Sequence, residues 1–339
     1  MSSSITLKFC HTHHEPPVRQ NFFYSIKIVV FQSLFSQTQM THAIEAKHDA
    51  PWTQTNPAWT VSLHDEAFAD KVGAIVAEYG LAVVTHVLPD DECDAHVDSL
   101  VTYIERLGTG VDRHDIRGTW TPDRLPPQTR PGLFQCLLAN TPAAWTIRAH
   151  PHVRRIFQTL YSRLRGGPVD EFIVSNDGIN LRANGLDGQR PSKRATKGGQ
   201  PSATDTTDTA DWAHLDQTSR DNVFLCLQGQ AVLANTTAAF RASPKSVHAY
   251  RAILDACHVA PDNDSNWLKF AAGDYDMLRR LVEAVPGGAW QVPIRAPKGS
   301  FIVWTSSTVH SALRAERIEP AVPTDVWRGY RAVIYVCYR

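Results

Sequence analysis

The stretch Trp212-Ala213-His214-Leu215-Asp216-Gln217 decides the reading, taken together with Thr308-Val309-His310-Ser311 far downstream. Side chains alternate from face to face along a strand, so His214 and Asp216, two apart, point the same way. One imidazole and one carboxylate cover two positions on a metal. A second histidine from a distant strand, His310, completes a set of two histidines and one carboxylate with positions left open, the donor set of non-haem Fe(II) sites. The tripeptide alone carries little weight, because a chain with 15 histidines and 34 acidic residues can produce such a spacing by chance. Its surroundings add the weight. Gly299-Ser300-Phe301-Ile302-Val303-Trp304 reads as a turn into a buried strand, His310 opens a short polar segment, and Arg331 begins the apolar run Ala332-Val333-Ile334-Tyr335-Val336-Cys337-Tyr338.

Working outward, further pieces fall into an order. Gly80 to Cys93 (GLAVVTHVLPDDEC) reads as a strand followed by a capped helix, and Phe172 to Arg182 (FIVSNDGINLR) as the strand before the metal stretch. Cys226-Leu227-Gln228-Gly229 and Ser243-Pro244-Lys245-Ser246 follow, then the Gly299 strand, His310 and Arg331. This ordered set, from about residue 67 to 338, resembles the phytanoyl-CoA dioxygenase family of Fe(II)/2-oxoglutarate-dependent dioxygenases, built on a double-stranded β-helix.

The resemblance implies Fe(II) held by His214, Asp216 and His310, with 2-oxoglutarate and O2 as cosubstrates. It implies oxidative decarboxylation to succinate and CO2, coupled to hydroxylation of a small organic molecule. The distal carboxylate of 2-oxoglutarate needs a cation, and a guanidinium fork binds a carboxylate bidentately. Arg331 aligns with the family's arginine, although Glu316 to Trp327 reads as an insertion between it and His310, and Arg314, Arg317 and Arg328 remain rivals. Gln228 matches a position facing the cosubstrate, with a purely core role as its alternative. Asn180 and Gln217 flank motif positions and are expected to line the substrate pocket, whereas Trp212 and Trp304 read as core. Two other readings stay open: a non-catalytic jelly-roll ligand-binding protein, and a metal-dependent cupin enzyme that uses no 2-oxoglutarate.

Composition bounds the rest. Hydrophobic residues make up 43% and charged residues 20%, which suits a globular enzyme with a sizeable core. Lys+Arg and Asp+Glu both total 34, so no global basic field favours nucleic acid or an anionic membrane as a partner. The six cysteines contain no C-x-x-C pair, which argues against a zinc finger and a disulfide framework. A reducing, cytoplasmic setting is the expectation, with Cys226 and Cys337 as buried thiols in apolar runs.

The chain divides into an N-terminal extension, 1–60, and a single domain, 61–339. The apolar stretch Phe22 to Phe35 is interrupted by Lys27 and too short to span a membrane; residues 1–39 read either as a targeting segment or as an extension upstream of a start at Met40. Helices are expected from Glu66 to Tyr79, from about Pro89 to Leu107, from His152 to Leu164 and from Tyr275 to Ala284. Residues 108–131 form a long loop, and His150 and His152 mark a helix entrance. Residues 184–211, almost devoid of apolar side chains, read as an insertion, inert or lid-like. Helices early and short strands late point to an α+β fold, a double-stranded β-helix (jelly-roll or cupin-like) core with helices backing one face.

Overall fold

Helix boundaries follow the capping chemistry of the sequence. The computed structural model describes residues 55–130, 132–182, 212–234, 240–260, 262–263, 265–312 and 331–339. Strand β1 (Thr60–Ser62) leads into α1 (Phe68–Tyr79), which stops where Gly80 takes a φ of 75° and returns its N–H to Val76 O. Only glycine fits there: the φ is left-handed, and a Cβ would lie 2.3 Å from Thr308 Oγ1. β2 (Leu81–Thr85) precedes α2 (Asp90–Arg106), whose first turn carries Asp90, Asp91 and Glu92 at the positive end of the helix dipole. The long loop expected next contains one helical turn, α3 (Ile116–Thr119), and runs into β3 (Leu133–Phe134). α4 (Pro142–Arg148) and α5 (Pro151–Arg165) start alike, with proline in the first turn behind the side-chain caps Thr141 and His150. His150 and His152 are therefore helix-entry chemistry; the His152 ring is tied to Val87 O at 2.8 Å.

The remaining elements are β4 (Ile179–Arg182), β5 (His214–Leu215), β6 (Leu227–Val232), β7 (Phe240–Ala242), α6 (Ser246–Ala256) and β8 (Leu268–Lys269). After them come α7 (Tyr275–Glu283), β9 (Val292–Pro293), β10 (Phe301–Thr305), β11 (His310–Ala312) and β12 (Arg331–Tyr338). They form a seven-stranded sheet, β1-β2-β10-β6-β12-β4-β3, and a five-stranded sheet, β8-β5-β11-β7-β9. Pairing is antiparallel throughout except between β1 and β2.

Period two sorts the strand residues between layers. In β10, Phe301 and Val303 join the core formed with α1, α2, α4 and α5, while Ile302 and Trp304 pack with Leu81, Val83, Phe240 and Ala242 between the sheets. In β12, Ala332, Ile334, Val336 and Tyr338 take the helix side, which turns Arg331, Tyr335 and Cys337 to the other. Gly229 on β6 makes room for the Phe301 ring: a Cβ there would lie 2.3 Å from Phe301 Cε1 and 2.9 Å from Ile302 O. Phe301 meets Phe157 edge-on at 5.7 Å, and Phe157 stacks on Tyr338 at 4.6 Å.

One expectation needs correction. Helices do not back a single face. Tyr250, Ile253 and Leu254 of α6 and Leu278 and Val282 of α7 form their own core with Ala213, Leu215 and Val309 of the smaller sheet. The fold is α+β, with helices packed on each of two largely antiparallel sheets. Among the described residues no helix is long and apolar enough to cross a membrane. The extension up to residue 54, the 184–211 insertion, Glu316 to Trp327 and the rivals Arg314, Arg317 and Arg328 lie outside the described residues.

Candidate metal centre

β5 and β11 lie side by side in the smaller sheet, and His214 and His310 are direct cross-strand partners. Their rings sit 4.2 Å apart. Each imidazole is anchored through Nδ1 to a backbone carbonyl two residues earlier: His214 to Trp212 O at 3.2 Å, His310 to Thr308 O at 2.9 Å. Those contacts place the ring proton on Nδ1 and leave the Nε2 lone pairs for a ligand. Asp216 Oδ1 is 3.6 Å from His214 Nε2, and Oδ2 is 3.4 Å from His310 Nε2. The three ligand atoms lie within 4.8 Å of one another, the one such group found among the described residues.

The sequence suggested a single strand carrying both His214 and Asp216. β5 stops at Leu215 instead, and Asp216 sits in a bend whose N–H donates to Ser306 O at 2.9 Å. The turn after β10 therefore aims the carboxylate. Gln228 Nε2 donates to Asp216 Oδ2 at 2.7 Å, fixing that oxygen further.

Burial pushes the His214 imidazole down to about 4; the neighbouring His310 acts in the same direction and Asp216 against it. Burial alone would raise the Asp216 carboxyl, but His214, His310 and the Gln228 amide outweigh it and hold the group well below its ordinary value. A neutral His214 beside an ionised carboxylate suits a divalent cation, because His214 need release no proton on binding near neutral pH. The donor set fits iron: two imidazoles, one carboxylate, and a cavity on the open side. On the cavity wall, Gln228 Oε1, Asn180 Oδ1 and Arg331 Nε are buried without a hydrogen-bond partner among the described residues, which suits a polar ligand.

The depressed His214 predicts a pH dependence. Unfolded, this histidine takes up a proton near 6.5, and folded only near 4. Between those values the unfolded state binds more protons, so stability falls as pH falls through that window. The metal-free protein is expected to lose melting temperature from pH 6.5 towards 4, more steeply than a His214→Phe variant. Equal slopes for the two proteins would overturn this.

The cavity, about 460 Å³, lies between the sheets. Arg331 opens β12 on its wall, 4% exposed, with Nη2 3.3 Å from Tyr335 Oη. Directly opposite in register is Arg182, also on the wall. Asn180 lines the cavity as expected of a pocket residue, but Gln217 does not. The Gln217 amide is used internally, donating to Asn222 O at 2.9 Å and accepting from Ser306 Oγ. The structure brings His214, Asp216, His310, Gln228, Asn180 and Arg331 together around one cavity and leaves Gln217 outside it.

Of the two tryptophans expected in the core, Trp304 is buried in the cluster between the sheets and also meets the cavity, whereas Trp212 is only half-buried, on the cavity wall. Trp212 stacks on His214 at 4.4 Å and 10°, donates Nε1–H to Ala312 O at 2.6 Å, and carries the Arg130 guanidinium over its ring at 4.1 Å. Asp177 is another wall residue that sequence reasoning missed. Burial raises its carboxyl, with the Arg148 charge opposing. Beneath it Arg148, 1% exposed and lowered to about 10 by burial, donates to Ala139 O at 2.6 Å and to Asp177 O, holding this loop in place. Tyr335 could have been found, since it lies four residues after Arg331 and shares its strand face. Arg130 and Asp177 carry no local pattern.

No family model matches the chain. Ava biosynthesis cluster protein O of Aspergillus versicolor is 26% identical over 102 residues, covering 30% of this chain and 31% of that protein, so the match spans well under two thirds of that relative's length. Similar solved structures include the epimerase SnoN in complex with Fe3+, alpha ketoglutarate and nogalamycin RO, at 15% identity over 81% of this chain and 84% of that one, TM-score 0.42. They also include GlcNAc Inducible Gene 2 from Candida albicans, at 14% identity over 82% and 65%, TM-score 0.47, and the non-haem monooxygenase ThoJ as its Ni complex, at 9% identity over 78% and 76%, TM-score 0.38. With these TM-scores below 0.5, the functional assignment rests on the site.

Proposed function

We propose that this chain is an Fe(II)/2-oxoglutarate-dependent dioxygenase of the phytanoyl-CoA dioxygenase type, on a double-stranded β-helix, hydroxylating a small organic molecule. The observation that carries the reading is His214 opposite His310, with Asp216 between their Nε2 atoms, on the wall of a cavity that also holds Arg331. Iron in this triad would supply the binding of O2 and the 2-oxo acid and the oxidative decarboxylation of 2-oxoglutarate to succinate and CO2. The chain's own groups do the rest. Backbone carbonyls of Trp212 and Thr308 set both imidazole tautomers, and Gln228 steadies Asp216 Oδ2. The Arg331 fork, steadied by Tyr335 Oη, takes the distal carboxylate of 2-oxoglutarate through charge-assisted hydrogen bonds. Phe240, Trp304 and Leu133 give the wall an apolar part that keeps bulk water from the reacting groups.

The test is succinate formation by the purified chain with Fe(II), 2-oxoglutarate and O2 across a panel of small organic substrates. Iron-dependent succinate is the expected result. Iron-dependent product formation without 2-oxoglutarate would move the assignment to a cupin enzyme. A protein that binds ligands in the cavity but takes up no iron would be a binding protein.

A further inference from the structure

Behind the triad lies a pair of thiols that the proposed reaction does not use. Cys226 Sγ and Cys337 Sγ are 3.2 Å apart, Cys337 on β12 and Cys226 immediately before β6. Cys337 stands in register with Gln228, the residue that holds Asp216 Oδ2. The Cys226 carbonyl accepts from Ser306 N–H at 2.9 Å, and Ser306 O accepts from Asp216 N–H at 2.9 Å. Both cysteines are thus one contact away from a group that aims the carboxylate. Among the described residues no histidine, carboxylate or further cysteine joins them at metal-ligand spacing, so a dithiol, not a metal site, is the chemistry present.

We propose that Cys226 and Cys337 are a redox modification site, forming a reversible disulfide with a peroxide as oxidant and thereby displacing Asp216. Both thiols are partly exposed; the Cys226 hydrogen bond pushes the Cys337 thiol well up, and Cys226, one residue beyond the end of β6, is the attacking group. Its thiolate attacks hydrogen peroxide; an S–O bond forms, the O–O bond breaks, and the departing hydroxide takes up the proton that Cys226 released, leaving as water. The Cys337 sulfur then attacks the resulting sulfenic sulfur; the S–S bond forms, the S–O bond breaks, and hydroxide leaves with the Cys337 proton as a second water. Two thiols lose two electrons and one peroxide gains them.

The geometry allows closure. The sulfurs must approach from 3.2 Å to about 2.05 Å, and they do so where the sheet ends. Leu227 with Tyr338 is the last pair of the β6–β12 ladder, and Cys226 lies one residue outside β6. Movement of Cys226 passes through Ser306 to Asp216. Oxidation itself does not depend on the proposed activity; its effect on metal binding rests on reading the triad as a metal site.

The experiment treats the full, reduced chain with hydrogen peroxide, blocks remaining thiols, and maps tryptic peptides without reduction. The peptides 221–241 and 332–339 each contain a single cysteine. They are expected as one linked species, two hydrogens lighter than their sum and released by dithiothreitol. Titration with Co(II) alone should show affinity lowered by about tenfold in the oxidised protein, as for loss of a group orienting a ligand, and restored on reduction. Cys337→Ser, close in size and still able to hydrogen-bond, should abolish both the link and the oxidant's effect on Co(II). Cys226 over-oxidised beside a free Cys337, or linked as readily to Cys257, would overturn the site. Equal Co(II) affinity of oxidised and reduced protein would overturn its action on the triad. If neither form binds Co(II), the metal-centre reading fails, while the linked peptide still decides the dithiol.

Discussion

His310→Ala is expected to remove Fe(II) and with it all iron-dependent turnover, and His214→Ala and Asp216→Ala should do the same. Loss of an outer partner of a metal ligand already costs about 10–100-fold in metal affinity, and loss of one ligand out of three should cost at least the upper end of that range. The fold should survive, because the three apolar clusters are built without the triad side chains. Asp216→Ala carries an additional term. It leaves the Gln228 amide, now donating at 2.7 Å, without its acceptor, at a cost of about 1–3 kcal/mol if water does not replace the carboxylate. Asp216→Asn controls for this, since it keeps an acceptor oxygen and loses the charge. Iron per chain, measured by metal analysis beside a far-UV circular dichroism spectrum, gives the result. Any of the three alanine variants that keeps full iron and full activity removes that residue from the centre.

How much of this was legible in the sequence depends on whether the signal is local. Gly80 ends α1 because its φ is positive, and Asp90, Asp91 and Glu92 start α2 because acids suit a helix N-terminus; both are readable from the residues. The triad was legible as residue types in order, but the reason Asp216 faces the histidines was not. Parity along a strand suggested it, whereas a hydrogen bond to Ser306, ninety residues away, achieves it. The face of Arg331 was hidden for a related cause. Both sides of β12 are apolar in sequence because one packs on helices and the other faces the inter-sheet space, so alternation leaves no mark. Trp212 read as core because a large aromatic usually is, and only the pairing of β5 with β11 shows it stacked on a ligand histidine at a cavity wall. The second helical layer escaped because the stripes of α6 and α7 tell that a face is buried, not against which sheet.

Arg331→Ala is expected to raise the Michaelis constant for 2-oxoglutarate while leaving iron affinity nearly unchanged, since the guanidinium is no ligand. A carboxylate held by a buried arginine gains charge-assisted hydrogen bonds worth about 1.5–3 kcal/mol, which corresponds to a rise of about ten- to a hundredfold. Arg331 is 4% exposed, so truncation cannot be compensated by swinging in a solvated neighbour without burying it. Arg331→Lys should fall between, because an ammonium offers a point charge without the fork. Tyr335→Phe should cost less than either, removing only the hydroxyl 3.3 Å from Nη2. The comparison that decides is with the other arginines. Arg130 is engaged over the Trp212 ring at 4.1 Å, and its alanine variant should keep a near wild-type constant for 2-oxoglutarate. Arg314→Ala, Arg317→Ala and Arg328→Ala should also stay near wild type. Titrating 2-oxoglutarate against each variant, with iron occupancy measured alongside, gives the answer. A defect confined to Arg328→Ala would move the cosubstrate anchor into the segment before β12. Wild-type constants for every one of them, and for Arg182→Ala on the same cavity wall, would mean that no guanidinium holds a 2-oxo acid here, and the 2-oxoglutarate part of the proposal would fall while the metal centre could still stand.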